Sequence, residues 1–319
     1  MSTQPVAGRK YGPEDEGRLT FIAYPNREAH LMNLTISRAM PIRDRRIVGP
    51  WCFLDRFGPL SFGTGKPMDV PPHPHIGIQT VSWVLEGEVQ HSDSLGSQAM
   101  TRPGGVNVMT AGSGIAHAEE TPVNNSGRLN GVQLWVALPE AARNQAPTFD
   151  RVAQAPVVEA HGGTLQVFAG AYGGETCPAP YYSAIIGLDV QIHAGETLDL
   201  ALDPSFEHAA LMLGGDCWIE GQPCAERMLY YLGSRRQGIT LTSQAGGRLL
   251  LIGGPPFPET ILMWWNFVAR APEEIAQARA DWELARQGAA TRFGQVIGEH
   301  APMLAAPALV RFARPNPAS

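Results

Sequence analysis

Short apolar runs separated by clusters of Gly, Pro, Asn and Asp recur along this chain, and they constrain it to β-structure more than any other feature does. The 319 residues include 35 glycines and 27 prolines without a Gly-x-y period, so tight turns must be frequent. A first series of runs covers residues 19–23, 31–37, 80–85, 89–92, 105–109 and 131–137. Their spacing predicts an antiparallel sandwich or barrel.

A second series of β-type runs follows residues 141–158, a proline-containing segment without periodicity that we interpret as a crossover or linker. Its members are residues 164–169, 183–192, 209–213, 217–219, 228–232, 238–242 and 247–252. TVSWVLEGEV, residues 80–89, is echoed by HAALMLGGDCWI, residues 208–219, which suggests a duplication. We therefore expect an N-terminal segment over residues 1–18 and two β domains over residues 19–145 and 146–270.

The segment after residue 271 has helical rather than β periodicity. Pro272 opens it, Glu273 and Glu274 lie in its first turn and Gly288 closes it, as at helix ends. Apolar residues recur there at steps of three and four, namely Ile275, Ala278, Trp282 and Ala285. We expect residues 271–319 to form one amphipathic helix and a proline-rich tail, with Trp264, Trp265 and Trp282 packed between helix and barrel.

Charge and composition exclude several classes of protein. Lys and Arg number 24 against 30 Asp and Glu, which gives a net charge of −6 and disfavours direct binding to nucleic acid or to anionic lipid. The N-terminal residues contain no apolar signal segment, and no run approaches the ~18 apolar residues of a membrane span. The four cysteines form no CxxC pair, so we expect reduced thiols rather than a zinc site. We expect a cytoplasmic monomer.

Two histidine-containing motifs carry the chemistry. Residues 71–75 read PPHPH, and because Pro74 opposes helix, His73 and His75 should point to the same face of an extended segment. His117 and Glu119 repeat this spacing in GSGIAHAE, residues 112–119. Two strands that each present two ligands would form a site of three histidines and one carboxylate. A single H-x-H pair can arise by chance, but the second pair makes that interpretation weaker.

This ligand set would leave a divalent cation with a net charge of about +1, because three imidazoles are neutral and one carboxylate is negative. Mixed nitrogen and oxygen ligands suit Fe, Mn, Co, Ni or Cu, and Zn is compatible with the same ligand types. A six-coordinate metal with four protein ligands keeps two positions for water, substrate or O2. The sequence therefore predicts a reactive metal site rather than a closed structural one.

The remaining candidates have simpler interpretations. His91 and Asp93 also lie two residues apart, but they follow a glycine turn, and we expect them to bind loop backbone rather than substrate. Glu120 should point to the opposite strand face from Glu119 and be solvated. His208 has no histidine two residues away, so we interpret it as a structural histidine with its hydrogen bonds satisfied.

Residues 73–122 contain H-P-H-x-G, L-E-G, H-x-D-S-x-G, R-P-G, M-T-A-G-x-G-I and H-x-E in that order, followed by GGPPF from residue 253 and WNFVARAPEEIAQA from residue 265. In this set of motifs the chain resembles the pirin family of the cupin superfamily. The resemblance implies an all-β bicupin of two antiparallel jelly-roll barrels with a C-terminal helix. It implies metal in the N-terminal cupin alone, with the ligands His73, His75, His117 and Glu119. Fe(II) is the expected ion, with Mn, Co, Ni, Cu and Zn as alternatives.

The chain departs from this family just after the first motif. Pirins commonly have a basic residue and a glutamate there, whereas this chain has Ile76 and Gln79. One charge of each sign would thus be missing near the entrance of the site. Gln79 can only hydrogen-bond where a glutamate could act as a base.

The resemblance implies two classes of function. The first is a pirin-type quercetin 2,3-dioxygenase that opens a flavonol or a related enolisable or catecholic substrate with O2, with Glu119 as the catalytic proton acceptor. The alternative is a non-enzymatic, iron-dependent redox-sensing module that co-regulates transcription through an unidentified protein partner. A third option is another metal-dependent cupin reaction, such as isomerisation of a hydroxylated molecule. The expected partners are a small aromatic substrate and O2.

Overall fold

The computed structural model describes residues 20–32, 34–63, 65–66, 68–298 and 300–309, so the expected N-terminal segment and the prolines at 315 and 317 lie outside the described residues. Strands β1 to β11 are, in chain order, Ile22–Pro25, Arg27–Leu31, Leu34–Met40, Trp51–Ser61, Asp69–His75, Ile78–Gly87, Val89–Asp93, Gln98–Thr101, Val106–Thr110, Ile115–Glu120 and Arg128–Ala137. Strands β12 to β25 are Thr148–Val152, Val157–Ala160, Gly163–Tyr172, Glu175–Thr176, Ile186–Ile192, Thr197–Ala201, Glu207–Gly215, Trp218–Ile219, Gln222–Pro223, Met228–Gly233, Gly238–Thr242, Gly247–Gly254, Leu262–Trp264 and Phe267–Ala269. Helix α1 is Pro272–Arg286.

The chain divides into two compact units, which we name by the histidines that they contain. Of the described residues, those within 29–36, 55–154 and 258–309 form the His73 unit, and those within 20–28, 37–54 and 155–257 form the His208 unit. Helix α1 thus belongs with the first series of runs, and β1 belongs with the second. The contiguous boundaries expected from the sequence, residues 19–145 and 146–270, stay a prediction.

Two large antiparallel sheets and the two-stranded sheet β24-β25 supply the strands of the His73 unit. The four-stranded sheet has the order β5-β10-β7-β8, and the seven-stranded sheet has the order β12-β9-β6-β11-β4-β3-β2. Apolar side chains from both sheets form one core cluster, which consists of Leu34, Ile36, Phe57, Met68, Val70, Val84, Val89 and Leu129. Successive side chains point to opposite faces of a strand, so each strand buries one face in this core. Polar side chains also occupy some of the inward-facing positions.

The segment interpreted as a linker contains a strand. Residues 148–152 form β12 and pair with β9 at the edge of the seven-stranded sheet. The interpretation of this segment as a crossover or linker did not include the strand, because a short edge strand with one partner needs little apolar alternation. Its burial is correspondingly slight, with two exposed and three half-buried residues.

The His208 unit is also antiparallel. Its larger sheet has the order β1-β21-β18-β23-β16-β14-β13, with β15 paired to β14, and its smaller sheet has the order β17-β22-β19-β20. Leu249, Leu250, Leu251 and Ile252 on β23 are all buried, which is typical of a strand covered on both faces. The predicted architecture of two antiparallel β domains and one C-terminal helix is confirmed.

Helix α1 begins where the sequence predicts. The Glu274 carboxylate accepts hydrogen bonds from the backbone N–H of Arg270 (2.8 Å) and of Ala271 (3.3 Å), so it satisfies donors at the helix start. The four predicted apolar residues are buried, and they pack with Ile76, Phe267 and Phe293 in a second core cluster. Trp264 and Trp265 contact the same cluster, so their predicted packing role is confirmed.

The segment after the helix is irregular and lies against the His73 unit. Trp282 donates its indole N–H to the Leu304 carbonyl (2.7 Å), and the Leu304 N–H donates to the Pro72 carbonyl (2.9 Å).

Three of the four cysteines are buried, and all four are free thiols. Among the described residues, no helix has the length and hydropathy that crossing a membrane requires.

Candidate metal centre

Strands β5 and β10 bring the two histidine motifs together. Their antiparallel register pairs His117 with His73 and Ile115 with His75. A directly opposed pair and its diagonal neighbour lie on one face of a sheet, so all three imidazoles converge. Their ligand nitrogens lie within 4.8 Å of one another, and all three side chains are buried. The two pairs predicted from sequence spacing therefore share one wall.

Pro71 and Pro72 interrupt this ladder next to the cluster. The pairing shifts between His117 and Glu119, so both prolines oppose Ala118 alone, and Glu119 pairs with Val70. Proline has no N–H for the ladder and is found at such bulges. The Pro71 carbonyl accepts a hydrogen bond from His73 Nδ1 at 2.9 Å. The bulge therefore orients the first histidine of the cluster.

Backbone carbonyls fix the tautomers of two histidines. His73 Nδ1 faces the Pro71 carbonyl, and His75 Nδ1 lies 3.1 Å from the carbonyl of Asn266 in the turn between β24 and β25. A carbonyl can only accept, so we assign the proton of each ring to Nδ1. The Nε2 lone pair of each neutral ring is then free to bind a metal.

A chain of side chains fixes the third histidine in the same way. His91 Nε2 lies 3.1 Å from Asp93 Oδ2, and His91 Nδ1 lies 3.3 Å from His117 Nδ1. An ionised carboxylate only accepts, so His91 carries its proton on Nε2 and accepts one from His117 Nδ1. His117 Nε2 is therefore also a free lone pair. We call Asp93, His91 and His117 the histidine relay.

The predicted role of the 91/93 pair is correct for one member and wrong for the other. Asp93 Oδ1 accepts the backbone N–H groups of Leu95 (2.9 Å) and Ser97 (3.0 Å), as the loop-binding interpretation requires. His91 instead binds the relay and stacks on Phe149 with ring centroids 4.4 Å apart. Its spacing of two residues from Asp93 was the sequence signal for this role.

The cluster fits a divalent cation. His75 Nε2 and His117 Nε2 lie 3.1 Å apart, and the assigned tautomers give each of them a lone pair with no proton between the two atoms. Two lone pairs at that distance repel each other unless a cation lies between them. Metal–nitrogen bonds of about 2.1 Å at a right angle would separate two ligand nitrogens by about 3.0 Å. The observed spacing therefore suits two neighbouring ligands of one ion.

Burial keeps the three imidazoles neutral. It lowers the pKa of His73 to about 4 and the pKa values of His75 and His117 well below the usual 6.5, with the neighbouring histidines adding to the shift at the latter two. Neutral imidazole is the form that binds metals. At neutral pH the lone pairs are thus available without the loss of a proton.

Glu119 lies on the same face of β10 as His117, but its carboxylate is outside the three-histidine cluster. Its Oε1 lies 3.2 Å from the Ser82 hydroxyl on β6. Burial raises the pKa of Glu119, although the nearby His91 and the Ser82 hydrogen bond oppose the shift. The structure thus brings together three of the four predicted ligands, and the assignment of Glu119 as the fourth stays a prediction.

Gln79 and Ile76 do not stand at a solvent-exposed entrance. Gln79 is fully buried, donates to the Thr110 hydroxyl at 3.0 Å and lies on the opposite face of β6 from Ser82 by strand alternation. Ile76 packs in the helix cluster with Phe267. Both side chains are buried, and the effect of the two missing charges on the site stays a prediction.

Two further expectations were wrong. Glu120 is half-buried and binds His300 Nδ1 at 3.0 Å, so it is paired rather than simply solvated. The Nδ1 atom of His208 is buried without a hydrogen-bond partner among the described residues, so its hydrogen bonds are not all satisfied. The pairing of Glu120 is not visible from local sequence, because His300 lies 180 residues away in the chain.

Comparison with known proteins identifies the family. The Pirin family profile matches residues 33–136, and the profile of the pirin C-terminal cupin domain matches residues 187–288. The chain belongs to the pirin family. The bicupin interpretation is confirmed by the same two matches.

Relatives of this pirin include a Pseudomonas aeruginosa protein named "Putative quercetin 2,3-dioxygenase", which is 43% identical over 295 residues, covering 89% of this chain and 92% of the relative. A pirin-like protein of Caulobacter vibrioides is 35% identical, over 83% of this chain and 93% of its own. A crystal structure titled quercetin 2,3-dioxygenase, from Acinetobacter baumannii, has 38% identity and a TM-score of 0.88, over 92% of this chain and 97% of that one.

Proposed function

We propose that this pirin is a mononuclear metal-dependent dioxygenase that opens a flavonol, or a related enolisable or catecholic compound, with O2. The observation that carries the proposal is the buried cluster of three neutral histidines whose Nε2 atoms are free and close together. The names of the Pseudomonas and Acinetobacter relatives support the reaction class. Fe(II) is the ion that we propose, with Mn, Co, Ni, Cu and Zn as alternatives that the same ligands accept.

His73, His75 and His117 would hold the ion, with Glu119 as the proposed fourth ligand. A bound divalent metal acts as a Lewis acid toward a coordinated hydroxyl and supplies redox chemistry with O2. The protein residues keep the imidazoles in the metal-binding tautomer through the Pro71 and Asn266 carbonyls and the histidine relay. Because these partners are fixed before substrate binds, little reorganisation is needed at the site.

Glu119 is also the group that we propose as acceptor of the substrate hydroxyl proton. It is buried beside the cluster, and the Ser82 hydroxyl lies within hydrogen-bond distance of its Oε1. A carboxylate at this position could take the proton of a flavonol 3-hydroxyl and hold it at Oε1 or Oε2. Ser82 would keep the carboxyl group oriented during this transfer.

Aromatic side chains around the histidines suit an aromatic substrate. Trp135 lies edge-on to His75 with ring centroids 5.2 Å apart, and Phe149 stacks on His91. Such surfaces favour planar rings over aliphatic or highly charged molecules. They support the choice of a flavonol or catechol among the substrates of metal-dependent cupins.

The experiment is an aerobic incubation of metal-loaded protein with quercetin, followed by the decay of flavonol absorbance and by O2 uptake. We expect both signals for the wild type, their loss in His75→Ala, and their retention in His193→Ala, which changes an exposed histidine of the His208 unit. Equal decay in the wild type, in His75→Ala and in metal-stripped protein would contradict the proposal. So would a fully metal-loaded wild type that consumes neither quercetin nor catechol.

A further inference from the structure

The His208 unit contains a cavity of its own. Its volume is about 450 Å³, and its lining residues come from strands β14 to β18 and β23, from the segment between β15 and β16 and from the segment between β17 and β18. This volume is within the range of sites that bind small organic molecules, about 300–1,000 Å³. The sequence duplication and the family resemblance assign no ligand to this half of the chain.

His208 supplies a buried polar atom without a partner at this cavity. The side chain is 1% exposed, it lines the cavity, and its Nδ1 has no hydrogen-bond partner among the described residues. A polar atom left unsatisfied in the interior costs free energy, so a native protein that retains one often holds a ligand or water there. His208 is therefore the first indication of a ligand.

The His208 ring is held in place by its neighbours. A Cβ on Gly253 would lie 2.7 Å from His208 Cδ2, so the ring packs directly on the backbone of β23. Burial lowers the pKa of His208 to about 4, with Asp203 raising it and Arg236 lowering it by smaller amounts. The neutral ring has one N–H and one lone pair at neutral pH, and it can therefore bind a hydroxyl group in either tautomer.

Three other polar groups at the cavity wall, on Tyr172, Cys177 and Tyr181, already have partners. The Tyr181 hydroxyl and the Cys177 thiol both donate to the Phe168 carbonyl, at 3.0 Å and 3.1 Å. The Tyr172 hydroxyl accepts the Ala201 N–H at 3.1 Å. These contacts leave His208 as the polar side chain with a buried atom to spare. A ligand here needs one hydrogen-bonding group and little other polarity.

The remaining walls are apolar and aromatic. Ile186, Leu188, Leu251 and Phe206 line the cavity beside Tyr172 and Tyr181. None of the described residues that line it is a lysine or arginine, and the charged residue among them is the exposed Asp203. An anionic ligand would find no counter-charge and would be repelled by Asp203. The lining therefore favours an uncharged aromatic molecule.

We propose that this cavity binds a small uncharged phenol, with its hydroxyl group on the His208 imidazole and its ring between the apolar and tyrosine side chains. A hydroxyl both donates and accepts, so it pairs with the neutral imidazole in either tautomer. The site is separate from the three-histidine cluster, because its lining residues belong to the His208 unit. The proposal does not depend on the dioxygenase activity.

The test uses 2-naphthol as the probe and naphthalene as its partner without a hydroxyl, with full-length metal-loaded protein and isothermal titration calorimetry. We expect 2-naphthol to bind once per chain with a dissociation constant below about 1 mM, and at least about tenfold more tightly than naphthalene. His208→Leu should remove that preference, whereas His73→Ala should retain it. The nitrogen resonances of His208, followed in protein labelled with ¹⁵N-histidine, should shift on addition of 2-naphthol.

A second variant keeps the test decisive if His208→Leu does not fold. Ser183→Phe places a large side chain at the half-buried cavity wall and leaves His208 intact, and it should abolish 2-naphthol binding. No binding at about 1 mM, equal affinity for naphthalene, or loss of binding in His73→Ala would each overturn the proposal. Retained affinity in a folded Ser183→Phe protein would overturn it as well.

Discussion

The carboxylate of Asp93 lies at one end of the histidine relay, and its replacement by an amide tests the tautomer assignment directly. In Asp93→Asn the side-chain oxygen should take the position of Oδ1, because two backbone N–H groups point at that atom. The amide NH2 group then faces His91 Nε2, which must accept rather than donate. The His91 proton moves to Nδ1, so His117 must carry its own proton on Nε2, the atom that faces His75.

A metal ion then has to displace that proton and break the new hydrogen-bond pattern. Loss of such a supporting interaction costs about 10- to 100-fold in metal affinity, or roughly 1.4–2.7 kcal/mol. Burial raises the pKa of Asp93, but hydrogen bonds from His91 and Ser97 outweigh it and lower the pKa overall, so the wild-type group is ionised at neutral pH. The substitution therefore removes a charge as well as an acceptor.

The assay is a competition titration of Co(II) between the protein and a chromogenic chelator at neutral pH. Asp199→Asn is the matched control, because Asp199 is an exposed carboxylate on β17 that accepts the Thr240 hydroxyl far from any histidine of the cluster in sequence. We expect weaker Co(II) binding in Asp93→Asn and no change in Asp199→Asn. Unchanged affinity in a folded Asp93→Asn protein would refute the relay argument, as would ¹⁵N spectra that retain the His117 proton on Nδ1.

Three further predictions concern stability. Trp282→Ala should lower the free energy of unfolding by about 3–5 kcal/mol in urea titrations, because Trp282 is fully buried and hydrogen-bonded to the Leu304 carbonyl. Leu284→Ala, at a half-exposed position of the same helix, should change the free energy of unfolding by less than about 1 kcal/mol. Co(II) at about 100 times its dissociation constant should stabilise the wild type by about 2.7 kcal/mol in thermal unfolding and leave His75→Ala unchanged; equal stabilisation of both would contradict the cluster as the binding site. The pKa of His208 is about 4 in the folded state and about 6.5 in the unfolded state, so the unfolded state takes up the proton first as the pH falls. The free energy of unfolding of the wild type should therefore decrease by about 3 kcal/mol relative to that of His208→Asn between about pH 6.5 and pH 4. Parallel plots of unfolding free energy against pH for the two proteins would show that His208 does not resist protonation.

The parts of this site that sequence predicts are those set by local geometry. Pro74 forces extension, and extension places His73 and His75 on one face, so the common orientation of this pair follows from spacing alone. Helix α1 is equally local, since its first turn and apolar spacing are written in consecutive residues. The role of His91 is predictable only in part. Its spacing from Asp93 shows that both side chains share a strand face, but it does not show which residues that face contacts.

The other parts depend on residues that are distant in the chain. Nothing near His75 predicts that the carbonyl of Asn266, 191 residues later, orients its ring. Strand β12 was missed because its pairing with β9 supplies order that its own sequence does not signal. The unpaired Nδ1 of His208 is visible only when every neighbouring group is placed, since local sequence cannot reveal an absent partner.

The hydrogen bond from His75 to Asn266 has a consequence for biosynthesis. The ribosome completes the β strands that carry all three imidazoles long before it adds the turn that orients one of them and the tail residue Leu304 that bonds to Pro72. A nascent chain therefore lacks the contacts that orient His75 and hold Pro72 until the C-terminal residues have been added. Ribosome-bound chains that stop before residue 258 should consequently bind Co(II) more weakly than the released apoprotein does.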